Sequence, residues 1–109
     1  MQSDHDRFLH AIRAKKLVRV KFVKKANTMS VTRICAPLDY GPRRRSADQS
    51  DCYHFWDLEG SGGGHSMSLT PDQILGLEVL PDTFEPSDFV TWDTRTAPWH
   101  LARQWGAYS

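Results

Sequence analysis

At 109 residues, with 39% apolar and 25% charged positions, the chain has the composition of one small globular domain and is too short to divide between two independent cores. No apolar run approaches the ~20 residues of a membrane helix, and the polar, acidic start lacks the basic-then-apolar form of a secretory signal, so a cytoplasmic protein is expected. The formal net charge of +1 conceals a division: residues 1–45 hold twelve of the fourteen Lys and Arg against three acids, Asp4, Asp6 and Asp39, while residues 46–109 hold two bases against ten acids.

In chain order, Ser3 followed three residues later by Asp6 reads as a helix cap, and Phe8, Leu9 and Ile12 recur at helical spacing, which predicts an amphipathic helix from about residue 4 to 15. Val18, Val20 and Phe22 alternate with Arg19 and Lys21, the pattern of a strand with one buried and one cationic face. A hairpin loop over 24–30 leads to a second, β-branched strand over 31–36, whose alternation groups Arg33 with Val31 and Cys35 and leaves open which side is inside. Pro37 is expected to end that strand, and residues 39–50, with Gly41, Pro42, Arg43, Arg44 and Arg45, to form a long functional or mobile loop.

Residues 51–58 form the strongest predicted strand. Cys52, His54 and Trp56 fall on one face and Tyr53, Phe55 and Asp57 on the other, and large rings on both sides fit a central position. Gly60 to Gly64 make a turn, and residues 65–69 return with Met67 and Leu69 inward. Thr70-Pro71-Asp72-Gln73 suits one helical turn, and residues 74–80 a fifth strand. Beyond Pro81 the tail carries Trp92, Trp99 and Trp105, and Pro98 could open a short helix in which Leu101 and Trp105 share a face. The expected division is a barrel domain with its N-terminal helix over 1–90, and a Trp-rich C-terminal strap over 91–109 that packs on the barrel or serves an interface through Trp92, Trp99 and Trp105.

This order, one helix, two strands, a basic loop, two strands, a short turn and a last strand, resembles the WYL domain, a five-stranded barrel related to SH3 and Sm folds. The resemblance rests on the Phe8-Leu9-His10-Ala11-Ile12 helix, the Leu17-to-Phe22 strand, and the set Arg33, Pro37, Tyr40 and Gly41 in the second strand. The naming Trp-Tyr-Leu triplet falls on Cys52, Tyr53 and His54, keeping its Tyr; the Asp-Arg-Ile before the last strand falls on Asp72, Gln73 and Ile74; Phe84 matches the Phe that follows that strand. The resemblance spans about residues 5 to 89 and implies a mainly β, α+β fold. In that family the domain usually follows a DNA-binding helix-turn-helix and acts as a regulatory ligand-binding module, with nucleic acid or nucleotides as suspected ligands. Here it looks like a stand-alone version, and the substitutions at Cys52, His54 and Gln73 fall where the family would be expected to contact ligand.

The chemistry expected from the residues is phosphate capture in a basic groove. Arg19, Lys21, Arg33, Arg43, Arg44 and Arg45 would hold phosphates, and Tyr40, Tyr53 and His54 would contact bases or ribose of a nucleotide or single strand. The competing class is a protein-interaction or homo-oligomerisation module built on the tail. The five histidines make no HxxxH or HExxH motif, so no metal or other cofactor is expected, although His54 and His65 could meet across a hairpin. Cys52 with His54, or Ser66 and Ser68 with His65, would be the nucleophile pairs of an enzyme, but no orienting group or oxyanion site is legible, and the expectation is no enzyme. Cys35 and Cys52 form no CxxC pair and read as free, partly buried thiols.

Overall fold

The computed structural model describes residues 3–24, 28–43, 50–59, 64–94, 99–101 and 103–109. It is a mainly β, α+β fold: helix α1 (Asp4–Ala14) followed by strands β1 (Lys16–Val23), β2 (Ser30–Pro42), β3 (Asp51–Asp57), β4 (His65–Leu69) and β5 (Ile74–Thr83). The strands form one antiparallel, barrel-like sheet in the order β4-β3-β2-β1-β5, in which three hairpin neighbours are completed by β5 returning beside β1.

α1 begins as its sequence dictates. The Ser3 hydroxyl accepts from the Asp6 N–H at 3.1 Å, and Lys15 ends the helix in the left-handed conformation, its N–H turned back to the Ala11 and Ile12 carbonyls. Phe8, Ala11 and Ile12 pack onto Val18, Val20, Phe22, Cys35 and Phe55, and this cluster is the core. A turn at Pro71–Gln73 joins β4 to β5, with Thr70 and Gln73 forming a capping box. The Gln73 amide also donates to the Val23 carbonyl at 3.0 Å, which ties the turn to the end of β1.

Two strands outrun their prolines. β2 continues through Pro37 to Pro42, because its pairing with β1 ends at Cys35 and a register shift between Pro37 and Asp39 relieves the ladder on the β3 side. β5 continues past Pro81 to Thr83, which an edge strand tolerates. Residues 39–42 of the predicted 39–50 loop are therefore part of β2, and residues 44–49 lie outside the described residues.

Beyond β5 the tail takes the second face of the sheet. Phe89 stacks on Trp56, with centroids 5.8 Å apart and planes at 19°, and Phe84 meets both Phe89 and Trp105. Trp105 is 3% exposed and donates its indole N–H to the Ile12 carbonyl at 2.9 Å. The helix expected after Pro98 does not form: among the described residues, 99–105 are irregular and one 3-10 turn, Gly106–Tyr108, follows. Among the described residues no helix is long and apolar enough to cross a membrane.

Candidate functional site

The tail is fastened at one buried carboxylate. Asp39 accepts from the backbone N–H groups of Tyr40 (3.0 Å), His100 (2.9 Å) and Leu101 (3.0 Å) and from the Arg103 guanidinium at 3.2 Å. Arg103 also donates to the Leu38 carbonyl. It lies over the Trp99 ring at 3.9 Å and the Trp105 ring at 4.5 Å, so its side chain is fully buried between two indoles. Burial pulls the Arg103 pKa down to about 10 and Asp39 pushes back, which leaves the guanidinium charged through the neutral range.

Fastened this way, the strap does not lie flat. Between it and the outer face of β3 and β4 remains a cleft of about 490 Å³, within the range of small-molecule sites. His54, Ser66 and Ser68 line it from the sheet, Trp92, Trp99 and His100 from the strap, and exposed Arg43, the first residue after β2, from the rim. Trp92 and Trp99 meet edge to face with centroids 5.3 Å apart, and the Trp99 N–H is committed to the Tyr108 carbonyl at 2.8 Å. Trp92 is 39% exposed, so an aromatic surface is open to a ligand.

His54 is held at both nitrogens. Nε2 lies 2.8 Å from the Gly41 carbonyl and Nδ1 lies 2.7 Å from the Ser68 hydroxyl. A carbonyl only accepts, so Nε2 carries a proton and neither nitrogen is left for a metal or for the thiol of Cys52. His65 is on the opposite face of the hairpin, paired with Asp57 at 4.0 Å, so His54 and His65 do not converge. Among the described residues no group of three His, Cys, Asp or Glu could hold a metal ion. Burial, with Asp57 and Glu59 adding to it, pushes the Cys35 thiol far above its ordinary range.

The predicted phosphate residues are not brought together. Arg19 and Lys21 stand opposite Ile34 and Thr32, whereas Arg33 stands opposite Val20, so Arg33 projects from the other face of the same hairpin. Arg19 is paired with Glu78 at 2.6 Å and Arg33 with Asp57 at 3.6 Å, both carboxylates from the acidic half. Arg44 and Arg45 lie outside the described residues. Tyr40 and Tyr53 do meet, at 4.6 Å between centroids, but beside His5 of α1, whose Nδ1 is 2.8 Å from the Tyr53 hydroxyl; this is the face away from the cleft. Of the nine predicted ligand contacts, Arg43 and His54 line the cleft. Of the three predicted interface Trp, Trp105 is inside the core, against Phe84 and the end of α1, and Trp99 is half-buried beside it. Reading Ser66 and Ser68 with His65 missed the Ser68–His54 bond. The signal available was the polar alternation Ser66, Ser68 around Met67 in β4, facing His54 across the pair.

No family model matches the chain, and no curated protein matches it. Among solved structures it is similar to part of the proteasome accessory factor B/C (PafBC) of Arthrobacter aurescens, with 16% identity and a TM-score of 0.54 over 91% of this chain. The chain spans 13% of that protein's length, and at this identity the likeness is one of fold.

Proposed function

We propose that the chain is a non-enzymatic, WYL-like regulatory module that binds a nucleotide, free or within a single strand, in the cleft beneath the C-terminal strap. The observation that carries this reading is the composition of the cleft: an open indole edge-to-face pair for a flat ring, two serine hydroxyls for its polar edge, and Arg43 at the rim for a phosphate. The sequence order and the Arg33, Pro37, Tyr40, Gly41 pattern support a WYL-like assignment, and a fold shared with part of an accessory factor agrees with a module that serves another component. The basic strand groove has no part in this reading, since Arg19 and Arg33 face apart and are paired.

The test is a titration with nucleoside monophosphates and with short single-stranded oligonucleotides, followed by tryptophan fluorescence. Saturable quenching that Trp92→Ala removes and Arg43→Ala weakens about tenfold supports the assignment. Absence of quenching by every nucleotide and oligonucleotide would falsify it.

A further inference from the structure

The hydrogen bonds behind the cleft fix what its serine can offer. Because Nε2 of His54 must donate to the Gly41 carbonyl, a neutral ring has only a lone pair at Nδ1, and the 2.7 Å contact is then Ser68 donating its hydroxyl proton to His54. A hydroxyl has one proton. Once it is committed behind the cleft, Ser68 Oγ presents acceptor lone pairs and no donor. Asp39 stands in the same row as His54 and Ser68 across β2, β3 and β4, but its carboxylate is paired with Arg103 and filled by backbone N–H groups, so the acceptor at this end is Ser68 Oγ. Arg43 lies beyond the Pro42–Asp51 pair, three residues along β3 from His54, or about 10 Å at the rise of a strand. The two ends of the largely apolar cleft therefore differ: a hydroxyl acceptor at the strand interior and a cation at the rim.

We propose that Ser68 is the specificity-determining residue of the cleft, selecting ligands that present an N–H donor at the inner end while their phosphate faces Arg43, and that His54 is the positioning residue that makes Ser68 an acceptor. Resting on the nucleotide reading above, this names an amino-bearing base, of which adenine is the simplest probe because its one exocyclic substituent is an amine. An analogue without that amine would leave Ser68 Oγ facing an unpaired edge, and a base with a bare acceptor there would meet it lone pair to lone pair.

The experiment compares AMP with purine riboside 5′-monophosphate, which lacks only the 6-amino group, by titration calorimetry on the wild type, Ser68→Thr and Ser68→Ala. The wild type is expected to bind AMP about tenfold more tightly. Ser68→Thr keeps the hydroxyl and the preference; Ser68→Ala loses the preference while its affinity for purine riboside monophosphate changes little, a result that a purely structural role for Ser68 would not give. Equal affinities in the wild type, or a preference unchanged in Ser68→Ala, overturn the role of Ser68 and leave the nucleotide cleft standing. Failure of both nucleotides to bind the wild type at all overturns the cleft reading and this inference together.

Discussion

The residue that governs the outer half of this molecule is Asp39. Its side chain is 7% exposed and that of Arg103 is 0% exposed, so removing either leaves a buried charge without a partner. Asp39→Ala is expected to cost about 3–5 kcal/mol in urea denaturation, a large share of the stability of a small domain. Arg19→Ala, which opens the exposed pair with Glu78, is expected to change stability by less than about 1 kcal/mol. The pair was partly legible: Asp39 is one of three acids in the basic half and Arg103 one of two bases in the acidic half. Nothing in their separation along the chain said that they would meet.

Tyr53 carries a prediction at the same scale. Burial first, then Tyr40 and Asp4, push its pKa up to about 12 from 10.0. A folded-state pKa above the unfolded one means that the native protein holds a proton the unfolded chain has lost between these values. The corresponding stability is complete below pH 10 and disappears as pH rises through 12. Urea midpoints measured from pH 9 to 11.5 should fall for the wild type, and Tyr53→Phe should fall less over the same interval.

At the scale of elements, the strap and β2 are in contact through a position where only glycine fits. A Cβ at Gly41 would come 2.5 Å from the ring of His100 and 2.9 Å from its Cβ, so the strap would have to move. Gly41→Ala is expected to leave the sheet intact, seen as an unchanged far-UV spectrum, while raising proteolytic cleavage within residues 91–101 and weakening nucleotide binding. Trp105→Ala acts on the other end of the strap, removing a buried ring between Ile12 and Phe84, and is expected to cost about 3–5 kcal/mol in the same urea experiment.

The elements themselves were mostly legible. Period-two alternation located β1, β3 and β4, and the Ser3 cap located the start of α1, because these signals act over a few residues. The ends of β2 and β5 were not, since whether Pro37 or Pro81 breaks a ladder depends on whether a neighbouring strand is still pairing there. Whether Leu101 and Trp105 share a helical face was likewise decided from outside: the Leu101 carbonyl accepts from Arg103 and the Trp105 N–H donates to the Ser109 hydroxyl, so the bond that would join them in a helix is not made.

For the whole molecule the unexpected result is electrostatic. The sheet order sets basic β1 beside β5 and basic β2 beside β3, so Arg19 meets Glu78 and Arg33 meets Asp57. Among the described residues, these two pairs set charge from one half against charge from the other. Binding of short oligonucleotides should accordingly respond weakly to salt, with a log–log slope of about −1 to −2, as expected when one or two phosphates are neutralised. A slope several times steeper would require a continuous basic surface and would exclude the cleft as the main site.

Composition and local periodicity by themselves determined a mainly β fold with a capped N-terminal helix, five strands and an aromatic tail, because each of those depends on neighbours within a turn or a pleat. Which charges stay available, which Trp reaches solvent, and that Ser68, His54, Trp92 and Arg43 share one cleft were decided only by tertiary structure. Those properties depend on strand register and on the path of the tail, where a shift of one residue exchanges the two faces of a strand.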